Sequence, residues 1–221
     1  MSSIDFTTAR HNMVESQIRT NKVRDHRLLD ALDEVPREAF VPQERRGIAY
    51  NDEDLPLGGG RYLMEPMVLA RLIQAAEVMP GDLVLDAAAG SGYSAAILSH
   101  MVATVVALEP DETLAESSSE ALGELELDGV VVVKGDLRDG YAKQAPYNVI
   151  ILAAAVSEVP KALLDQLADG GRLVTVLRDD AQVPGQAALF RKAGEVVSHR
   201  ALFDANTPVL PGFEKVKGFV F

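Results

Sequence analysis

Residues 82–93 read Asp-Leu-Val-Leu-Asp-Ala-Ala-Ala-Gly-Ser-Gly-Tyr, a short apolar run that breaks into a glycine-containing turn. A helical pattern follows directly, so the stretch predicts a β-strand, a tight turn and the start of an α-helix. At such a junction the free backbone N–H groups and the positive end of the helix dipole lie at the mouth of a parallel sheet. The stretch therefore predicts a site for an anionic or carboxylate-bearing cofactor.

The spacing of this turn differs from the common dinucleotide-binding motif. No third glycine follows Gly90 and Gly92 at the expected distance, where the chain has Ala95. The next apolar run, 103–108, ends on Glu109, about 20 residues after Gly90, and an acidic side chain there accepts hydrogen bonds from ribose hydroxyls. A plain turn with a solvated glutamate is the alternative, but the two features together favour a nucleoside site.

Composition excludes several classes of protein. The 221 residues, 48% of them hydrophobic, suffice for one α/β domain, and we expect a single domain over 1–221. The net charge of −12 disfavours nucleic-acid partners, because an acidic surface repels phosphates. The absence of cysteine excludes disulfides and thiolate sites. No stretch reaches the roughly 18 apolar residues of a membrane span and no signal-peptide pattern opens the chain, so we expect a cytoplasmic protein without a membrane partner.

The first 66 residues predict a helical layer and a loop that packs over the rest of the domain. Residues 7–20 carry a modest helical pattern, and a clearer helix is predicted to begin after Asp25 and to end at Pro36. Residues 43–65 look irregular and include three consecutive glycines at 58–60. These glycines allow close approach to a ligand or movement, and a plain surface loop fits them equally well.

Residues 67–221 predict a cofactor-binding core in which strands and helices alternate. The predicted strands are 83–87, 103–108, 130–134, 147–153 and 171–177, and the predicted helices are 92–101, 111–126 and 158–168. The tail has three further extended runs, at 187–192, 196–204 and 215–221. We therefore expect an α/β, Rossmann-like fold: a doubly wound, mostly parallel seven-stranded sheet with a helical N-terminal layer and an antiparallel C-terminal edge.

Polar residues also follow the third predicted strand, which is rich in valine. Asp136 and Leu137 stand directly after it. Because the carboxyl ends of neighbouring parallel strands open onto one crevice, we expect Glu109 and Asp136 to line the same cleft. Asp136 is suited to accept a hydrogen bond from the exocyclic amine of an adenine, and the backbone N–H of Leu137 to donate to a ring nitrogen. An ordinary Gly-Asp turn is the alternative for this pair taken alone.

Five segments together carry a family signature. They are 13–19 (Met-Val-Glu-Ser-Gln-Ile-Arg), 35–42 (Val-Pro-Arg-Glu-Ala-Phe-Val-Pro), 55–60 (Leu-Pro-Leu-Gly-Gly-Gly) leading to Pro66, 90–93 (Gly-Ser-Gly-Tyr), and 159–174, which runs from Val-Pro to Gly-Gly-Arg-Leu-Val. In these segments the chain resembles class I S-adenosylmethionine-dependent methyltransferases, and more narrowly it is similar to the protein-L-isoaspartate O-methyltransferase family. The resemblance covers nearly the whole chain.

The resemblance implies a repair enzyme that uses S-adenosylmethionine to methylate the isoaspartyl carboxylate of damaged peptides or proteins. For the cofactor it implies Asp86, Ala88, Gly90, Ser91 and Gly92 at the methionine part, Glu109 at the ribose, and Asp136 and Leu137 at the adenine. For the acceptor it implies Gly58, Tyr62, Leu63, Met64, Ala153 and Ala154. A carboxylate with a pKa near 4 is ionised at neutral pH, so the reaction needs no general base.

The chain departs from the family pattern at the acceptor loop and at the cofactor turn. The family carries Thr, Ser and Gln where this chain has Tyr62, Met64 and Glu65, and Met64 takes the position of the active-site Ser without its hydroxyl. Ala88 stands where the family commonly has Gly, and Asp86 where Glu is more usual. Two alternatives therefore stay open: a methyltransferase for a different small-molecule or protein acceptor, and a cofactor-binding protein without isoaspartyl turnover. The four scattered histidines show no metal-ligand spacing.

Overall fold

The structure, a computed structural model, describes residues 5–215. Its helices are α1 (Phe6–Met13), α2 (His26–Glu34), α3 (Pro66–Ala75), α4 (Tyr93–Ser99), α5 (Glu112–Glu124) and α6 (Lys161–Asp165). Its strands are β1 (Leu55–Gly58), β2 (Arg61–Leu63), β3 (Leu83–Ala87), β4 (Thr104–Glu109), β5 (Val130–Lys134), β6 (Tyr147–Val156), β7 (Leu167–Leu177), β8 (Gln186–Ala193) and β9 (Val196–Asp204). Short π-helical or 3₁₀ turns occupy Val14–Ile18, Arg19–Asn21, Arg37–Phe40 and Gln43–Ile48.

Seven strands form the main sheet, in the order β5-β4-β3-β6-β7-β8-β9. Neighbours from β5 to β7 pair in parallel, and β8 and β9 pair antiparallel at one edge. The chain order reverses at β3, whose neighbours are β4 and β6, so a crevice opens at its carboxyl end. The predicted Rossmann-like, mostly parallel sheet with an antiparallel C-terminal edge is confirmed.

The central strands β3, β4 and β6 are mostly apolar on both sides because helices and loops cover both faces of the sheet there. In β3, Val84 packs into a core shared with the N-terminal helices, α3 and α4. The next residue, Leu85, packs into a second core that includes Leu163 of α6. Burial on both faces favours near-continuous runs of valine, isoleucine and leucine, which is the pattern by which these strands are predicted.

The N-terminal layer follows the predicted helix signals closely. The side chain of Asp25 accepts a hydrogen bond from the backbone N–H of Arg27 at 3.0 Å, which caps α2. The helix ends at Glu34, before Pro36. Its buried residues are Leu28, Leu29, Ala31 and Leu32. This apolar face packs the layer onto α3 and α4 and so fixes the loops that follow it.

Part of segment 43–65, which is predicted to be irregular, forms an antiparallel hairpin of β1 and β2. Its turn contains Gly58, Gly59 and Gly60, with φ angles of 101°, 57° and 75°. Only glycine adopts these angles with little strain, so the three glycines are the residues that close the hairpin. The prediction is wrong here because strands of four and three residues are too short to show an alternating pattern.

Two further boundaries differ from prediction near the end of the parallel sheet. The helix predicted at 158–168 is confined to Lys161–Asp165. Strand β7 begins at Leu167, whose Cα pairs with that of Tyr147, so the residues predicted to end the helix extend the sheet instead. The predicted strand at 215–221 lies outside the described residues except for Lys215. Within 5–215, no helix has both the length and the apolar composition that crossing a bilayer requires.

Candidate cofactor and acceptor site

The turn after β3 has an unusual backbone conformation. Ala88, Gly90 and Gly92 have φ angles of 60°, 58° and 95°. A Cβ atom on Gly92 would lie 2.3 Å from the Oγ atom of Ser118, so this position accepts only glycine. Ala88 keeps a side chain in a left-handed conformation, which costs about 1–2 kcal/mol and is a mark of a functional turn. Within the turn, the backbone N–H of Ala89 donates to the carbonyl oxygen of Leu108 at 3.2 Å and that of Gly92 to the carbonyl oxygen of Ala89 at 2.9 Å.

Two buried polar side chains of this turn have free atoms. The Oδ2 atom of Asp86 accepts a hydrogen bond from the Oγ atom of Ser94 at 2.6 Å. Its Oδ1 atom and the Oγ atom of Ser91 are buried without a hydrogen-bond partner among residues 5–215. Burial raises the pKa of Asp86 to about 7, and Glu109 also raises it, whereas the hydrogen bond from Ser94 lowers it. Unpaired buried polar atoms are costly, so they mark a place where a polar ligand fits.

Glu109 lies at the end of β4 with no exposed surface. Its Oε2 atom accepts a hydrogen bond from the backbone N–H of Gly90 at 2.8 Å, and its Oε1 atom one from the N–H of Asp111 at 3.0 Å. The guanidinium of Arg61 pairs with both oxygens, Nη2 donating to Oε2 at 2.7 Å and Nη1 to Oε1. The structure therefore brings the predicted residues Glu109 and Gly90 into direct contact and adds Arg61, which sequence reasoning missed.

A cavity of about 620 Å³ opens beside this pair at the carboxyl ends of β4 and β5. Its walls include Asp111, Asp136, Leu137, Arg138 and Phe213, together with Arg61 and Gly59 of the β1–β2 hairpin. The Oδ1 atom of Asp136 accepts a hydrogen bond from the backbone N–H of Arg138 at 2.8 Å, which holds the turn. The two residues predicted for an adenine thus line one cavity, whose size suits a nucleoside.

The predicted acceptor residues lie in two groups. Leu63 and Met64 follow the β1–β2 hairpin and are buried, Met64 being 2% exposed, whereas Tyr62 is 39% exposed and Gly58 lies on the surface of the hairpin turn. Ala153 and Ala154 belong to β6, directly after the residues that pair with β3. Both groups are apolar or small near the open end of the sheet, so they exclude water without offering a side-chain base.

Arg37 binds the backbone of the predicted acceptor loop at Met64. It was not predicted as a site residue. This fully buried arginine donates from Nη2 to the carbonyl oxygen of Met64 and from Nε to that of Ala49, both at 2.8 Å. Its guanidinium also lies 4.8 Å from the ring centroid of Tyr93. The sequence gives no signal of this burial, because arginine is mostly exposed in folded proteins.

A pair of carboxylates beside Met64 was also missed. The backbone N–H of Glu65 donates to the Oδ1 atom of Asp54 at 2.9 Å. Burial, together with the negative charges of Asp52 and Asp54, raises the pKa of Glu65 to about 7. Among the described residues no group of three or more histidines and carboxylates has the geometry of a metal site.

Comparisons with known proteins return one name repeatedly. A family profile described as protein-L-isoaspartate(D-aspartate) O-methyltransferase matches residues 8–202. A relative from Anaeromyxobacter sp., named protein-L-isoaspartate O-methyltransferase 2, is 41% identical over 167 residues, which are 76% of this chain and 69% of the relative. A relative from Rhodopseudomonas palustris, named protein-L-isoaspartate O-methyltransferase 1, is 37% identical over 209 residues, 95% of this chain and 85% of the relative.

Solved structures show the same fold. A structure titled protein-L-isoaspartate O-methyltransferase superimposes with a TM-score of 0.80 at 25% identity and covers 93% of this chain and 67% of the other. A second, from Plasmodium falciparum and titled as a protein-L-isoaspartate O-methyltransferase in complex with S-adenosyl-L-homocysteine, has a TM-score of 0.73 at 21% identity, covering 94% of this chain and 99% of the other.

Proposed function

The chain belongs to the protein-L-isoaspartate(D-aspartate) O-methyltransferase family, and we propose that its methyl acceptor is the carboxylate of isoaspartyl residues in peptides and proteins. As a family member it is an S-adenosylmethionine-dependent O-methyltransferase. The observation that supports this acceptor most directly is the match to relatives of that name over up to 95% of the chain. The family match gives the class of enzyme, and the isoaspartyl acceptor is what we propose in addition.

The residues of the cofactor side fit S-adenosylmethionine. The free buried oxygen atoms of Asp86 and Ser91 suit the polar methionine end. Glu109 would hold the ribose hydroxyls, and Asp136 with Leu137 would hold the adenine in the adjoining cavity. The bound cofactor supplies an electrophilic methyl group on a sulfonium centre.

The acceptor side fits an anionic nucleophile that arrives already ionised. The isoaspartyl carboxylate has a pKa near 4, so no protein group needs to remove a proton before it attacks the methyl group. One C–O bond forms as the C–S bond breaks, which leaves a methyl ester and a neutral thioether. Leu63, Met64 and Ala154 contribute by excluding water, and the loop fixed by Arg37 contributes by orienting the acceptor.

A repair role follows chemically from this acceptor. A methyl ester is a better acyl electrophile than a carboxylate, so the neighbouring backbone nitrogen attacks it, a five-membered imide closes and methanol leaves. Reopening of the imide returns part of the material to a normal aspartyl linkage. Such a role, together with the cytoplasmic location expected from the sequence, completes the proposed function.

A pair of matched peptides tests the proposal. The purified protein is incubated with methyl-labelled S-adenosylmethionine and a peptide that contains either isoaspartate or aspartate at one position. We expect base-labile label on the isoaspartyl peptide and none on its aspartyl twin. Binding of S-adenosylhomocysteine by calorimetry without transfer to the isoaspartyl peptide would overturn the acceptor and favour either another acceptor or a binding protein without turnover.

A further inference from the structure

The carboxylate of Glu109 has no capacity left for a ribose. Two of its hydrogen bonds come from the backbone N–H groups of Gly90 and Asp111, and two come from the guanidinium of Arg61. A carboxylate offers about four lone-pair sites, so all are used. Ribose hydroxyls must therefore replace one pair of donors before they can bind to Glu109.

Arg61 is the donor that can be replaced. Gly90 and Asp111 follow strands of the main sheet, and their N–H groups are fixed by the backbone. Arg61 instead belongs to the β1–β2 hairpin, whose strands, among residues 5–215, pair with each other and not with the main sheet. Its turn consists of three glycines, which have the widest choice of backbone conformations. Releasing the Arg61 side chain from Glu109 thus breaks one ion pair and leaves the main sheet intact, while Leu55 and Leu63 of the hairpin stay in the hydrophobic core.

Other contacts of the hairpin cover the same site. A Cδ1 atom of Leu57 lies 3.2 Å from the position of a Cβ atom built on Gly90, so this leucine sits directly over the cofactor turn. Arg61, which is 8% exposed, forms a wall of the cavity, and Glu109 is not among the residues that line it. The nucleoside cavity therefore stops at Arg61, one side chain short of the ribose-binding carboxylate.

We propose that Arg61 gates the cofactor site by competing with the ribose of S-adenosylmethionine for Glu109. In the cofactor-free protein Arg61 neutralises a buried carboxylate that would otherwise be costly. Entry of the cofactor exchanges the two guanidinium hydrogen bonds for two from the ribose and moves the Arg61 side chain away from Glu109, while Leu55 and Leu63 keep the hairpin strands in the core. The apparent affinity for the cofactor then equals the affinity of the open form multiplied by the fraction of protein that is open.

This inference rests on the cofactor part of the proposed function and is independent of the acceptor. Its test is the dissociation constant of S-adenosylhomocysteine, measured by calorimetry for the wild type and for Arg61→Gln. We expect Arg61→Gln to bind about tenfold more tightly, because the closed form loses its ion pair. Arg191→Gln is the matched control, since it also removes an arginine that pairs with a glutamate, Glu77, but neither of these residues lines the cavity. We expect it to bind as the wild type does.

A second ligand pair identifies the ribose as the competing group. Adenosine should bind more tightly to Arg61→Gln than to the wild type, whereas 2′,3′-dideoxyadenosine should bind equally to both. Arg61→Lys supplies a further variant in case the glutamine variant does not fold. A single ammonium cannot pair with both carboxylate oxygens in the same plane, so this variant should also bind adenosine more tightly than the wild type.

The outcomes separate the gate from the proposed function. Equal or weaker binding of S-adenosylhomocysteine by the Arg61 variants would overturn the gate while leaving the cofactor site intact. Tighter binding of dideoxyadenosine by the same factor as adenosine would also overturn it, because the competition would not involve the hydroxyls. Absence of binding by every variant, including the wild type, would instead reject the cofactor site itself and with it the gate.

Discussion

The side chain of Arg37 donates a hydrogen bond from Nη2 to the main-chain oxygen of Met64 at 2.8 Å, and no part of this arginine is exposed. Met64 is the residue predicted to take the position of the family's active-site serine, and the buried guanidinium from the N-terminal layer fixes the backbone at this position. The loop is thus positioned through its main chain, whichever side chain stands at 64.

Replacement of Arg37 tests this relationship. Arg37→Met keeps much of the volume but leaves the carbonyl groups of Met64 and Ala49 without donors, so we expect the free energy of unfolding to fall by about 2–4 kcal/mol. Urea unfolding at neutral pH measures the change. Arg46→Met, at an exposed residue of the turn Gln43–Ile48, is the control and should cost no more than about 0.5 kcal/mol. A loss at Arg37 as small as that of the control would contradict the clamp.

The missing hydroxyl at position 64 supports a second prediction. Met64→Ser restores a donor beside the expected carboxylate, and one hydrogen bond is worth about 1 kcal/mol, so we expect methyl transfer to an isoaspartyl peptide to rise about fivefold. The lost packing of a buried methionine should lower the free energy of unfolding by about 2–3 kcal/mol.

Single-turnover methyl transfer, at a temperature where the Met64→Ser variant is folded, measures the change in rate. Met79→Ser, at an exposed methionine, is the control, and slower transfer by Met64→Ser would show that the thioether side chain itself helps the reaction.

The parallel strands were predictable from the sequence because each is a short, mostly apolar run bounded by turns. Runs 83–87 and 130–134 predict their strands to the residue, although the first is a buried central strand and the second is a partly exposed edge strand rich in valine. The β1–β2 hairpin was not predictable from pattern, because its strands are too short and its glycine turn resembles a loop.

At the candidate site, contacts between residues far apart in the sequence limit what the sequence can predict. Glu109 was found from its place at a strand end, but its ion pair with Arg61 joins residues 48 positions apart and depends on how the hairpin folds back over the sheet. The burial of Arg37 also depends on tertiary packing and could not be predicted from local pattern, since an arginine in a turn is usually exposed. Local patterns therefore located the strand ends, and tertiary packing decided which side chains meet there.

The raised pKa of Asp86 predicts how the free energy of unfolding depends on pH. Burial raises its pKa from 3.8 to about 7, so in this range the folded protein holds a proton that the unfolded chain releases. Protonated Asp86 makes its full contribution to the free energy of unfolding below the unfolded pKa of 3.8. This contribution is lost as the pH rises through about 7. Asp86→Asn removes this titration, so we expect the variant to be about 2–4 kcal/mol more stable than the wild type at about pH 8.5 and similar to it at about pH 4.5.

Urea unfolding without cofactor, repeated across this pH range, measures the difference between Asp86→Asn and the wild type. Asp30→Asn on the exposed side of α2 is the matched control and should follow the wild type at every pH. A constant difference between Asp86→Asn and the wild type would show that Asp86 does not titrate in this window.

Glu65 predicts how acceptor binding depends on pH. It follows Met64 directly, and burial with the nearby charges of Asp52 and Asp54 raises its pKa to about 7. Below this pH the side chain is neutral; above it, the carboxylate repels an isoaspartyl carboxylate that binds next to it. We therefore expect the KM for an isoaspartyl peptide to rise as the pH increases through 7, with little change in the KM for the cofactor. Glu65→Gln, which carries the residue found in the family, should have a lower KM at high pH and no such rise. Glu53→Gln, in the exposed part of the same loop, is the control and should keep the rise; a rise that persists in Glu65→Gln would place the titrating group elsewhere.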